Sequence, residues 1–269
     1  MINPLKAIPK ALLAPFGLEI ITRSRVKCLN KVSPQLLLYA ALAKDDQVRI
    51  AKYIPYSHSQ LAQDLFAICN SAEQNSSGFF VEFGATDGIS MSNTFLLEKM
   101  LGWRGILAEP ARVWHQDLHR NRSSIIDTRC VFPESGSKIP FLEVFQGDGT
   151  AASPELSSIK SFAENRDWAS RARKNNSIEY LVETISLNDL LDHHDAPKVI
   201  DYMSIDTEGS EYEILKHFDF GARKILFLTV EHNYRKVNRE LIRGLLEQNG
   251  YTRVLVEISQ FDDWYVYSN

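Results

Sequence analysis

The chain has 269 residues, 44% of them hydrophobic and 24% charged, with a formal net charge of −4. That length suits one large α/β domain with an extension, and the composition is that of a globule able to bury a sizeable core. The slight acidity excludes nucleic acid as the main partner, and no apolar run is long enough to cross a bilayer.

Residues 1–57 read as a helical N-terminal extension. Its first part mixes Leu5, Leu12, Leu13 and Phe16 with Lys6, Lys10 and Arg23. A basic amphipathic segment of this kind suits either an anionic membrane surface or packing on its own domain or a second subunit, as in a homo-oligomer. Pro4, Pro9 and Pro15 break any long helix there and favour packing. Gln35 to Ala43, rich in leucine and alanine, predicts a helix. Ser57 to Asn70 predicts another, with Leu61, Leu65, Phe66 and Ile68 on its apolar face and Ser57 or Ser59 as the cap. Cys28, Cys69 and Cys130 lack metal-ligand spacing and predict reduced thiols in a cytoplasmic protein.

A turn cluster at Asn75–Gly78 precedes an α/β alternation, and residues 58–269 are expected to form the main domain. Strands are expected at 79–83 and 105–108, then a helix with Pro110 in its first position, then a strand over 124–131. Ile139 to Phe145 looks like an added strand, and Gly147-Asp148-Gly149 like a turn. Residues 150–177 are polar and helix-prone, and suit either a lid that recognises an acceptor or a solvated surface helix. The sheet is expected to resume at Glu179–Ile185. Ser186 and Asp189 form a capping box for the next short helix. Val199–Ile205 and Ile225–Val230 follow as core strands, with a helix through Ile214 and Leu215 between them. Arg235 to Asn249 is helical and stops at Gly250. Tyr251–Ile258 and Trp264–Tyr267 are joined by too short a loop for a parallel crossover, so they are expected to pair antiparallel.

The functional signal lies at the strand ends. Phe79-Phe80-Val81-Glu82-Phe83 runs into Gly84-Ala85-Thr86-Asp87-Gly88, a glycine-flanked turn where backbone approaches a ligand closely. The helix expected from Ser92 to Leu101 would aim its first N–H groups at that ligand. Some twenty residues on, Ile106-Leu107-Ala108 ends in Glu109, an acid placed to grip the two hydroxyls of a ribose. A dinucleotide fingerprint needs a third glycine, and no Gly-Lys-Ser or Gly-Lys-Thr supplies a Walker loop. Asp87 would repel a pyrophosphate, whereas an acidic loop suits the ammonium and sulfonium groups of S-adenosylmethionine. Glu82, Asp87, Glu109, Asp206, Glu208, Glu231 and His232 all fall at the carboxyl ends of strands, where α/β sheets bind ligands. So many carboxylates there point to a ligand, a metal or proton transfer.

These segments resemble the FkbM-type methyltransferases. The matching stretches are Ser59–Asp64, Phe80–Gly88, Ser92-Asn93-Thr94, Gly102–Gly105 with Glu109-Pro110, Ile200–Glu211 and Asp262–Val266. Together they span roughly residues 57 to 267, and the Asp206-Thr207-Glu208-Gly209 element is the most specific of them. The resemblance implies the class I methyltransferase (Rossmann-like) fold: a mostly parallel seven-stranded sheet with an antiparallel C-terminal hairpin. It also implies O-methylation of a hydroxyl on a small molecule or carbohydrate, with S-adenosylmethionine as donor.

On that reading, Gly84 and Gly88 let the backbone reach the methionine half, with Glu82 or Asp87 taking its ammonium and Asn93 its carboxylate. Glu109 holds the ribose, and the adenine lies near Cys130 and Val131. Asp206 contacts the cofactor or the acceptor. His232 is the expected general base, because imidazole titrates near neutral pH, and Glu208 is its rival. Asp206, Glu208 and Glu231 are also the candidate ligands of a divalent metal. Two other functions stay open: a methyltransferase-fold binding module without turnover, and a nicotinamide-dependent enzyme of related topology.

Overall fold

The computed structural model describes residues 33–71, 77–146, 153–163 and 170–268. The basic segment before residue 33, Cys28 and the 147–149 turn lie outside them, as do Asn75 and Ser76 of the turn cluster. Among the described residues no helix is long and apolar enough to cross a membrane.

The described part opens with three helices: α1 (Pro34–Ala41), α2 (Lys44–Ala51) and α3 (Gln63–Asn70). The alternation then runs β1 (Phe79–Phe83), α4 (Phe95–Leu101), β2 (Arg104–Ala108), α5 (Arg112–Asn121) and β3 (Ile125–Asp127). It continues through β4 (Cys130–Val131), β5 (Lys138–Val144), β6 (Ser158–Ile159), α6 (Lys160–Ala163), α7 (Ser170–Asn175) and β7 (Ser177–Ile185). The last third is α8 (Leu187–His193), β8 (Val199–Ile205), α9 (Glu211–Lys216), β9 (Lys224–Glu231), α10 (Lys236–Gln248), β10 (Tyr251–Val254) and β11 (Asp262–Tyr267).

The main sheet has seven strands in the order β10-β11-β9-β8-β1-β2-β3. Five of them, from β9 to β3, run parallel, with Val81 opposite both Ile106 and Met203. β11 is antiparallel to both β9 and β10, so the C-terminal pair forms an antiparallel hairpin at one edge. Both faces of the sheet are covered, which is why its strands read as continuous apolar runs. On one face Val81, Phe83, Ile106, Met203 and Leu228 pack with Leu190, Ile214 and Leu246 from the later helices. On the other, Phe80, Leu107, Phe227 and Trp264 pack with Leu38, Ile50, Leu65, Phe66 and Leu97. The extension's helices α1 and α2 therefore share the core of the main sheet.

Several expected boundaries move, each for a local reason. The strand expected over 124–131 splits in two. Asp127 accepts both the main-chain N–H of Arg129 at 2.9 Å and its guanidinium, and the chain then leaves the main sheet. β4 joins a second, four-stranded sheet in the order β4-β7-β5-β6. β7, expected to resume the main sheet, belongs to this second sheet, parallel to β4 and antiparallel to β5. Helix α3 starts six residues after Ser57, because the Ser57 and Ser59 hydroxyls donate to the buried Asp64 at 2.7 and 2.6 Å rather than capping. Pro110 precedes α5 instead of opening it, because the Ala111 N–H is taken by the Glu109 carboxylate at 2.8 Å. Half of the capping box forms: Ser186 Oγ accepts from the Asp189 N–H at 3.1 Å, while the Ser186 N–H goes to Ser135 Oγ at 2.8 Å. Gly250 ends α10 in the left-handed region, at φ +86°.

Candidate active site

A cavity of about 580 Å³ opens where the carboxyl ends of β1, β2, β8 and β9 face the second sheet. Gly84 sits at its floor with φ +72°, and a Cβ built there would lie 2.3 Å from the main-chain oxygen of Asp206. Only glycine lets the loop after β1 press so closely on the loop after β8.

Beside it, Glu109 is buried, with each carboxylate oxygen accepting one main-chain N–H. Oε2 takes Thr86 and Oε1 takes Ala111, both at 2.8 Å. Burial pushes this carboxyl up to about 7, against the pull of those two donors. Each oxygen keeps a lone pair, so the group can accept two further donors side by side. Cys130 and Val131 on β4, with Trp114 and Phe141, add an apolar wall to this half. The Cys130 thiol, buried there, is pushed up to about 12 and stays protonated.

The other expected cofactor residues divide between wall and frame. Glu82 lines the cavity, but its carboxylate accepts from the Asn93 N–H at 2.6 Å, Thr94 Oγ1 at 2.5 Å and Ser92 Oγ at 3.0 Å. Arg122, itself buried, approaches it at 3.6 Å. The N–H groups of Thr94 and Phe95 go to Ser92 Oγ. The start of α4 is thus closed by Glu82 and Ser92 and does not present N–H groups to a ligand. Asn93 lines the cavity, donates to Ser204 Oγ at 2.8 Å, and has a buried Oδ1 with no partner among the described residues. Asp87 accepts the N–H groups of Ile89 and Ser90 and does not line the cavity. Gly88, at φ +81°, packs on Arg122 and Leu118 and also lies outside the lining.

The far half is acidic. Asp206, Glu208 and Glu231 line the cavity and bring one carboxylate oxygen each to within 4.8 Å of the others. Burial raises all three. Asp206 rises to about 7, and Glu208 to about 8 with Asp206 adding to the push. Glu231 goes well above the carboxylate range, with Asp206 and Glu208 as further causes. Glu208 stands at φ +59° and is held by Arg173 Nη2 at 2.7 Å and Asn233 Nδ2 at 3.3 Å. Arg173, almost fully buried, comes from the insertion and also donates to the Leu156 carbonyl at 2.7 Å. The insertion is therefore packed onto the site over its described residues.

His232 is 3% exposed and does not line the cavity. Its Nδ1 accepts the Tyr234 N–H at 3.0 Å, and Nε2 faces Asp263 on β11 at 3.8 Å. Burial lowers its pKa, with Asp263 opposing. The geometry separates the expected base from the reacting space and leaves Glu208 inside it.

Two contributors escaped the sequence reading. Glu211 folds the motif loop by accepting the N–H groups of Gly209 at 2.7 Å and Thr207 at 3.2 Å. No capping-box spacing announces it, because Glu211 follows Thr207 by four residues rather than three. Arg122 ties the loop together through Glu98, Gly88, Ser92 and Thr94, and nothing local marks it out from the basic residues of the preceding helix α5.

A mixed α/β protein with a seven-stranded sheet and a ligand-sized cavity at its strand ends has a methyltransferase-like fold. The chain belongs to the FkbM methyltransferase family: the model for the methyltransferase FkbM domain matches residues 82–253. No curated protein matches the sequence.

Proposed function

We propose that this protein is an S-adenosylmethionine-dependent O-methyltransferase of class I type, acting on a hydroxyl of a small molecule or carbohydrate. The observation that carries the reading is one cavity with two unlike halves. A buried carboxylate beside an apolar wall suits a nucleoside, and three carboxylates of raised pKa suit a hydroxyl that must lose its proton.

When bound, the donor supplies a methyl carbon already activated by its sulfonium. Glu109 accepts the ribose hydroxyls, while Cys130, Val131 and Phe141 cover the base. Gly84 lets the main chain reach the methionine half. The unpartnered Asn93 Oδ1 is the acceptor for its ammonium, in place of the occupied Glu82 and the outlying Asp87. Glu208, poised at about 8, would take the proton of the acceptor hydroxyl, whose oxygen would receive the methyl group that the donor supplies. Alignment supplies most of the remaining rate.

Calorimetric titration with S-adenosylhomocysteine tests the first half; no binding to folded protein would remove the reading. Glu208→Gln tests the second. Turnover should fall by roughly 10²–10⁴ with cofactor affinity retained, and an active variant would reassign the base.

A second reading places a divalent cation on Asp206, Glu208 and Glu231. Three oxygens within 4.8 Å, each carboxyl destabilised by burial, fit a hard cation that would orient the acceptor. Added Mg²⁺ should then raise Tm and EDTA lower it; a Tm unmoved by either would discard this reading.

A further inference from the structure

We infer that Tyr234 is the platform on which the acceptor ring rests, and that His232 is its positioning residue. The inference rests on the methyl-transfer reading above and concerns the acceptor end of the same cavity. Tyr234 lines the cavity, yet 67% of it is exposed. A large aromatic side chain left so open at a cavity mouth offers a face that nothing among the described residues covers.

The backbone is distorted to put it there. Asn233 and Tyr234 have φ of +46° and +57°, two successive non-glycine residues in the left-handed region. Such strain persists only where the surroundings enforce it. The enforcing contact is His232, whose buried Nδ1 accepts the Tyr234 N–H at 3.0 Å. The two rings meet edge to face, with centroids 6.0 Å apart. The same turn carries Asn233, which donates to Glu208 Oε2 at 3.3 Å. The turn that carries the platform therefore also holds the base, through Asn233. A ring lying on Tyr234 with its hydroxyl edge inward meets Glu208, Asp206 and Glu231.

That arrangement selects a chemistry. The aromatic face takes a C–H face, the carboxyl groups exchange hydrogen bonds with hydroxyls, and an anionic ring would oppose ionisation of the base. A neutral pyranoside meets all three conditions.

The test is saturation-transfer NMR with a panel of neutral methyl pyranosides, run with and without S-adenosylhomocysteine. Each variant is checked by its Tm and by calorimetry of S-adenosylhomocysteine binding. At least one pyranoside should bind the wild-type protein and Tyr234→Phe. Tyr234→Ala should weaken that binding about three- to tenfold while leaving cofactor affinity unchanged. His232→Asn, whose Oδ1 replaces Nδ1 as acceptor, should bind like wild type, and His232→Ala like Tyr234→Ala. Absence of pyranoside binding, or equal binding by Tyr234→Ala, would overturn the platform. Equal behaviour of His232→Asn and His232→Ala would overturn the positioning role. Failure to bind S-adenosylhomocysteine would instead count against the donor reading, and the cofactor-free pyranoside titrations would still decide the platform.

Discussion

Replacing Glu109 with glutamine should reverse its effect with pH, and the size can be worked from its burial. The carboxyl is raised from 4.5 to about 7. A raised carboxyl favours folding below its unfolded value, and that stability is lost as pH rises through the folded value. Integrating between those two values, the wild-type protein should lose about 2–3 kcal/mol between pH 5 and pH 8 through this group alone. Glu109→Gln carries no such term. It does leave one of the Thr86 and Ala111 N–H donors facing an amide nitrogen, a penalty of about 1–3 kcal/mol that does not vary with pH. Urea unfolding of both proteins at pH 5, 6.5 and 8 should therefore show the gap between them closing by about 2–3 kcal/mol as pH rises. Ligand binding should move oppositely, since ribose hydroxyls prefer the ionised acceptor. Wild-type affinity for S-adenosylhomocysteine should increase from pH 6 to 8, while the variant binds roughly 10- to 150-fold more weakly at pH 8. Parallel stability curves would show that Glu109 titrates as an ordinary carboxylate, and the argument from burial would fall.

Gly84→Ala forces a Cβ to 2.3 Å from the Asp206 carbonyl oxygen at φ +72°. It should lower stability by at least about 1–2 kcal/mol from the backbone strain alone, visible as a lower Tm together with weakened cofactor binding. Arg122→Met strips four acceptors of a buried guanidinium. It should cost about 3–5 kcal/mol in urea unfolding, and a loss below about 1 kcal/mol would be the value of a surface pair. Glu231→Gln removes the carboxyl that burial and its two neighbours push highest. At pH 8 in EDTA it should raise Tm by a few degrees while methyl transfer falls, and at pH 5 it should leave Tm unchanged. A Tm shift of equal size at both pH values would contradict the charge argument.

Two central strands of the main sheet were legible to the residue, and their neighbours β2 and β9 to within one residue at each end. Phe79–Phe83 and Val199–Ile205 carry their own signal, because most of their positions are buried between the two packed faces. The short antiparallel hairpin followed from loop length alone. What failed were features decided by distant partners. Glu82 and Glu109 are both acids at or beside strand ends, and only the folded chain shows the first bonded to Ser92, Asn93 and Thr94 while the second keeps open lone pairs. His232 looked like a base because an imidazole at a strand end titrates near neutral pH. Its burial comes from β11, where Asp263 stands 31 positions on. The break between β3 and β4 carries no periodic signal, since a strand that changes sheets keeps its alternation.

The second sheet separates two tasks along the chain. On the proposed reading, the residues that would meet the donor hang from β1, β2 and β4, each fixed by neighbouring strands. Much of the opposite wall, including Leu156 and Ile159, comes from the connection between β5 and β7, anchored by the Arg173–Glu208 pair. That connection can change length and composition without disturbing a single pairing of the main sheet. A lineage built on this plan can exchange its substrate by rewriting some thirty residues and one tight turn, while the machinery that holds the methyl donor is inherited whole.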